Sequence, residues 1–499
     1  MPAKGGSGGN FSDEEMQVVR LGGPGSGLNH QSSCDKMKDA RLAAAAGLAA
    51  GVVLHAVYTR WRKARDDLVE EHELNSDGFV TFRNAPPAGA RDADGTVSPD
   101  DPVLHVDAVK EHVFERPSAG TAVVDFDFLE GFMRDTFVAY GCTDADAAIC
   151  ADVLISSDKR GIDSHGIGRL KPIYCDRMDL DILNARSQVT IVSQTATTAV
   201  LDGGVGLGLA IGPRAMQLAI NKAKRHGIGM VCVRNSTHYG FAGYYGLMAA
   251  DAGCIGVTGT NARPSIAPTY GVEPMMGTNP LVFGIPSDDA FPFVLDCATS
   301  VNQRGKIEKY AREGQPTPRG AVISTAGDEL TNSKDILDAL VARTAALTPL
   351  GGAGHAMAGY KGYGYAATVE ILCAALQGNQ WGEALSEKYV DKATGEKKTR
   401  PSKLGHFFIA IDVEAFAPLA QFRATVSAIL GGLRESEKDP RGGGRIYTAG
   451  EPEHMAWAHR SANGGTPVPP VLQKQMIELR DTKFPPALRA KYAKLPFEK

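Results

Sequence analysis

Two histidines and one arginine in glycine-rich surroundings are the residues of this chain best suited to chemistry. Ser164, His165 and Arg169 share the stretch DSHGIGRL, residues 163–170. Glycine lets backbone turn freely and approach a ligand, histidine offers a proton near neutral pH, and arginine offers a fixed cation. That combination suits a small acidic substrate. His238 stands in RNSTHYGFAGYYG, flanked by Asn235, Ser236 and Tyr239, where an apolar strand is expected to give way to a helix. Such loops carry functional side chains, and a histidine there can act as acid or base. Taken alone, a loop histidine is more often a hydrogen-bonded surface group.

Three later stretches supply a setting for these groups. GTNP (277–280) lies between two apolar segments, and FVLDCATS puts Asp296, Thr299 and Ser300 at the end of an expected buried strand. Polar residues closing such a strand face a cleft. NQRGKIEKY carries Lys306, whose plainest reading is a solvated helix cation. GGAGHAMAGYKGYG (351–364) sets six glycines around Lys361 ahead of the helix expected over YAATVEILCAALQG. Backbone amides, a helix N-terminus and an ammonium make a phosphate cradle that suits a nucleotide, although the loop is no P-loop.

The elements that must position these residues follow from periodicity. Asp127 with Glu130 reads as a capping box, and Phe128, Leu129, Phe132 and Met133 form one apolar stripe before Gly141. Thr143 is expected to cap a second helix through about Ile155, with DSHGIGRL in the loop beyond it. TTAVLDGG then reads as a strand, IGPRAMQLAINKAKRHG as a helix closed by Gly227, GMVCVRN as a strand, YYGLMAADAG as a helix and CIGVTGTN as a strand. Alternating strands and helices predict α/β architecture. The glycines of DGGVGLGLAIG do not make a dinucleotide fingerprint, since Ile211 stands three residues after Gly208. A standard Rossmann domain is therefore not expected.

Composition bounds the rest. The 499 residues are 43% hydrophobic and 22% charged with net charge −4, an ordinary globular balance with no basic field to attract nucleic acid. Eight cysteines form no C-x-x-C pair and no metal-ligand spacing, so they read as buried thiols of a reducing compartment. Residues 1–41 read as a disordered tail and 64–120 as a flexible acidic, Pro- and Gly-rich linker. Between them, residues 42–63 are a candidate transmembrane or surface helix. Its apolar run, 42–58, is shorter than the roughly 20 residues that span a bilayer, though Gly47 and Gly51 form a G-x-x-x-G face. Residues 121–499 are expected to hold the catalytic domain, in the cytoplasm, with a membrane contact through 42–58 left open.

DSHGIGRL, RNSTHYG, GTNP, VLDCATS, GKI and GYKGYG, in this order, resemble the malate/L-lactate dehydrogenase family, which includes ureidoglycolate and sulfolactate dehydrogenases. The likeness covers about Thr121 to Leu472. It implies an α/β, non-Rossmann fold: a cofactor domain on a mixed sheet, about residues 195–365, inserted in a helical substrate and dimerisation domain. It also implies a homodimer that uses NAD or NADP to interconvert a small 2-hydroxy acid, such as malate or L-lactate, and its 2-oxo acid. By the same resemblance His165, His238 and Lys306 are the catalytic candidates, with Ser164 and Arg169 orienting substrate. His238, Ala262, Asp296, Cys297, Ala298 and Lys361 are the expected cofactor contacts, and no metal is implied. Some imine-reducing relatives carry Asp where this chain has Lys306, so lysine favours the hydroxy-acid branch. A cyclic imine reductase and a catalytically silent, membrane-tethered metabolite-binding relative are the alternatives. One departure stands out: the family's Tyr four residues after the arginine is Ile173 here, and Tyr174 follows, which puts a substrate contact by Tyr174 in doubt.

Overall fold

The computed structural model describes residues 119–498, without 187, 392 and 440–443. The expected tail, candidate span and linker lie outside the described residues, save for residues 119 and 120. Among the described residues no helix is long and apolar enough to cross a membrane.

Two helices open the described chain, α1 (Phe126–Ala139) and α2 (Asp144–Lys159). The cap of α1 is Asp125, whose carboxylate accepts the Phe128 N–H at 3.0 Å, two residues earlier than the expected Asp127 box. Thr143 caps α2 as expected, but the helix continues past Ile155 to Lys159. Its last turn carries Ser156, Ser157 and Asp158, all buried because tertiary partners take up their polar groups.

A seven-stranded sheet forms the centre. Its strands are β1 (Thr190–Gln194), β2 (Thr198–Asp202), β3 (Ile228–Ser236), β4 (Cys254–Thr260), β5 (Leu281–Ile285), β6 (Phe293–Cys297) and β7 (Leu404–Asp412). They lie in the order β1-β2-β3-β7-β4-β5-β6, with β2 and β3 parallel and every other neighbouring pair antiparallel. Helix α3 (Gly208–His226) makes the parallel crossover, which short turns cannot make. The middle strand, β7, comes from well beyond residue 365. Its run of apolar residues, buried on both sides, is what a strand covered on two faces requires.

Alternation along β3 and β7 assigns the two faces. Val231, Val233, Phe408 and Ala410 join the core under α3 and α4 (Gly243–Asp251), whereas Cys232 and Phe407 meet Val369 and Cys373 of α6 (Gly359–Ala374) on the other side. Burying Phe407 and Phe408 stabilises the sandwich by roughly 1.5–3 kcal/mol each. β6, expected as a buried strand, is instead the sheet's edge and is half open. Helix α5 (Arg304–Glu313) follows it, carrying Lys306. Helices α7 (Leu419–Glu435) and α8 (Glu451–Ala462) complete the surroundings of the site.

Candidate active site

DSHGIGRL is not the plain loop its glycines suggest. A helical turn over Ile167–Arg169 runs into a π-helical turn, Leu170–Cys175. Asp158, at the end of α2, accepts the Ile167 N–H at 2.8 Å and so holds the turn's first amide. Gly166 is required there, because an added Cβ would sit 1.9 Å from Asp158 Oδ1. Arg460 of α8 fastens the stretch from outside with two bonds to Asp163, at 2.7 and 2.8 Å. Desolvation of its buried carboxyl pushes Asp158 up to about 8, with Asp163 adding to the rise.

This scaffold delivers His165 to His238. Their rings stack with centroids 5.7 Å apart and planes 21° from parallel. Ser164 Oγ lies 2.8 Å from His165 Nδ1, while His238 Nδ1 lies 2.7 Å from Tyr174 Oη and accepts the Gly240 N–H at 3.2 Å. Tyr174 is fully buried. It stands five residues after Arg169, and the π-turn explains how: with an i→i+5 repeat, a residue five on takes the face that four on takes in an α-helix. The doubt over Tyr174 rested on the family's spacing of tyrosine and arginine; Tyr174 is not among the cavity's lining residues, and its contact is with His238. The Arg169 side chain bonds the Ser164 carbonyl and so lies against the same stretch.

Burial first, then the Arg169 cation, pulls His165 down to about 4. His238 is held well below the usual imidazole range by burial and then by His165, Arg177, Arg169 and His406. Both rings are therefore neutral at pH 7.

A cavity of about 820 Å³ carries this chemistry onward. Ser164, His165 and His238 line it together with Ala262, Ala298 and Asp296. Asp296 Oδ2 accepts the Gly243 N–H at 2.6 Å, at the start of α4. Loss of water around the carboxyl lifts Asp296 to about 6, against the pull of that hydrogen bond.

The remaining expected residues are placed differently. Cys297 is not among the cavity's lining residues, and its thiol points to the Leu281 carbonyl at 3.7 Å. Lys306 is exposed on α5 with its ammonium 5.5 Å from the Tyr310 ring, and Lys361 is exposed in the first turn of α6. Neither lysine lines the cavity. Sequence reasoning passed over His406, fully buried on β7 and stacked on Tyr239 with centroids 4.5 Å apart. It also passed over Arg160, which lies over the Trp457 ring at 4.5 Å. No local pattern announces either, since both are defined by partners distant along the chain.

A mixed sheet with helices on both faces brings two neutral imidazoles to one large cavity, while the Arg169 guanidinium, which is not among its lining residues, is bonded to the Ser164 carbonyl beside them. A family model for malate/L-lactate dehydrogenase matches residues 124–477, and the chain belongs to that family. It is 40% identical over 355 residues to malate dehydrogenase of Pyrococcus horikoshii, covering 71% of this chain and 93% of that one. Against L-sulfolactate dehydrogenase of Methanocaldococcus jannaschii it is 36% identical over 319 residues, covering 64% and 86%. The crystal structure of malate dehydrogenase from Entamoeba histolytica superposes with a TM-score of 0.69 at 40% identity, over 73% of this chain and 99% of that one.

Proposed function

We propose that the protein is an NAD(P)-dependent dehydrogenase that interconverts a small 2-hydroxy acid, such as malate or L-lactate, and its 2-oxo acid. Family membership makes it an oxidoreductase of hydroxy acids. The observation that carries the finer reading is the stacked His165 and His238 pair lining the same cavity as Asp296.

The residues present fit a nicotinamide cofactor. The cavity is in the size range of cofactor sites, and Ala262, Ala298 and Asp296 line it together with the imidazoles. Those three would hold the cofactor, whose nicotinamide, when bound, takes the hydride from C2 of the hydroxy acid. Arg169 would bind the substrate carboxylate through parallel hydrogen bonds, with Ser164 and His165 fixing its orientation.

Proton transfer falls to His238. The Gly240 N–H fixes a bare Nδ1, and hence Nε2–H, in the neutral ring, while the tautomer with a bare Nε2 keeps the Tyr174 hydroxyl as acceptor of Nδ1–H but gives up the Gly240 bond. A nitrogen that alternates between those states is what removal of the hydroxyl proton and its return require. The low pKa keeps the base ready at neutral pH, and an anionic substrate stabilises the imidazolium once it forms. The exposed Tyr365 and Ile371 on α6, with Leu376 just past its end, support association into a homodimer. We place the catalytic domain in the cytoplasm, where buried thiols stay reduced, and propose residues 42–58 as its point of membrane contact.

The test is oxidation of reduced cofactor with oxaloacetate, pyruvate and a cyclic imino acid. Turnover with a 2-oxo acid, reduced by orders of magnitude in His238→Ala and in His165→Ala, is expected. Full activity in the double histidine variant would refute the assignment.

A further inference from the structure

Three residues that line the cavity, Ala262, Thr278 and Ala298, come from separate stretches of chain, and Asn279 joins them. Asn279 is fully buried with φ 34°, a left-handed backbone that asparagine tolerates better than most side chains. Its Oδ1 accepts the Ala262 N–H at 3.1 Å. Thr299, the neighbour of Ala298, donates its N–H and its hydroxyl to the Thr278 carbonyl, at 2.9 and 3.0 Å.

Beyond this junction, on α6, lies the buried carboxyl of Glu370. Its Oε2 accepts Asn279 Nδ2–H at 2.7 Å, and its Oε1 accepts the Gly382 N–H at 3.1 Å and Asn261 Nδ2–H at 3.4 Å. A carboxylate has no donor to offer, so it decides which end of each amide faces it. With both Nδ2 groups turned to Glu370, Asn279 Oδ1 faces Ala262 and Asn261 Oδ1 accepts the Gly405 N–H at 2.8 Å. Asn261 also lines the cavity. The arrangement is costly, because desolvation lifts the Glu370 pKa against the pull of those three hydrogen bonds. An apolar side chain of similar volume would fill the space without that penalty, but both amides would then be free to turn.

We propose that Glu370 is a positioning residue of the dehydrogenase: acting through Asn279 and Asn261, it sets the wall of Ala262, Thr278 and Ala298 in the place that receives the cofactor. The proposal rests on the hydride-transfer reading for what the wall holds, though not for how the wall is held.

The test compares Glu370→Gln with Val369→Ala in the full-length chain, Val369 being fully buried on the same helix within the apolar cluster of Cys232, Cys373 and Phe407. Glutamine keeps the shape of glutamate but puts an N–H where an acceptor is needed, so one asparagine amide must turn. Hydrogen exchange at the Ala262 and Gly405 amides, measured relative to the amides of β3, should quicken by at least about tenfold in Glu370→Gln and by less than about twofold in Val369→Ala. Fluorescence titration with NADH and NADPH should show binding about tenfold weaker in Glu370→Gln, with Val369→Ala within about twofold of the parent. At saturating cofactor, kcat and KM for the 2-oxo acid should stay within about threefold. Asn279→Gly, which keeps the left-handed backbone and removes the amide, carries the same two expectations, and the double variant should bind cofactor no more weakly than the worse single one. Exchange that quickens no more than in β3, cofactor affinity no lower than that of Val369→Ala, or losses that multiply in the double variant would each overturn the proposal. Should the two amides loosen selectively in a chain whose parent binds neither NADH nor NADPH, the positioning of the wall stands and the hydride-transfer reading falls.

Discussion

The Tyr174 hydroxyl lies 2.7 Å from His238 Nδ1, across a gap of 64 residues in sequence. A buried phenol, its own pKa driven far up by desolvation, is a neutral partner that neither titrates nor leaves. Its task is to hold the ring and support either tautomer. Tyr174→Phe should therefore lower kcat by about 10- to 100-fold with KM nearly unchanged, by analogy with other positioned acid–base groups. The signature that separates positioning from folding is the pH profile: the kcat/KM limb assigned to His238 should move in the variant while its melting temperature stays close to the parent's. A profile that does not move would show that the hydroxyl does nothing for the imidazole.

That contact also marks the limit of what the sequence discloses. Motif order pointed to His165, His238 and Asp296, and three-state patterning placed the strands Thr198–Asp202, Ile228–Ser236 and Cys254–Thr260 close to where they lie. Local patterning cannot register a π-turn, so Tyr174 looked displaced by one position when its face was not. Nor could it place Leu404–Asp412 in the middle of the sheet, because which strands neighbour it is fixed by pairings far apart in the chain. The two lysines stand apart from the imidazoles: Lys306 and Lys361 lie outside the cavity's lining, each beside a tyrosine ring.

Gly166 offers a second test, one of backbone space. A methyl group at this position meets the carboxyl of Asp158 at distances that no side chain tolerates, and that carboxyl holds the Ile167 amide. Gly166→Ala should displace Asp158, cost about 1–3 kcal/mol of stability through the overpacked contact, and misdirect His165. Activity should fall further than stability. Gly168→Ala, whose Cβ would lie 3.3 Å from the Asp163 carbonyl, should be milder on both measures. Equal behaviour of the two variants would refute the assigned role of Asp158.

Acid stability should follow the histidines. His165 falls to about 4 on folding, from an ordinary value near 6.5, so the unfolded chain binds the extra proton between those pH values. His406, drawn down to about 3, acts in the same direction. The histidines' contribution is full above pH 6.5 and is lost as pH falls from there toward 4, opposite in sign to the contribution of Asp158 and Asp296. In melts across that range, His165→Gln should flatten part of the decline. A slope unchanged by the substitution would place the acid sensitivity elsewhere.

Asp296 joins the two ends of the proposed mechanism, and its carboxyl is costly to ionise. Held up at about 6 by desolvation, it is mostly a carboxylate at pH 7.5 and mostly an acid at pH 5. As a carboxylate it accepts the Gly243 N–H at the head of α4 and keeps lone pairs turned toward the cavity. If those lone pairs receive hydrogen bonds from the cofactor, affinity for NADH or NADPH should strengthen as pH rises through 6. Asp296→Asn should bind the reduced cofactor about tenfold more weakly at pH 7.5, a loss consistent with one charge-assisted hydrogen bond, and should lose the pH dependence. The same substitution removes a desolvated negative charge whose raised pKa opposes folding above pH 6, so the variant should melt at a higher temperature than the parent at pH 7.5. Fluorescence titration of the cofactor beside a thermal melt reads both. Weaker binding with greater stability is the pattern of a residue kept for its ligand, whereas a fall in both would make Asp296 a structural cap of α4 and nothing more.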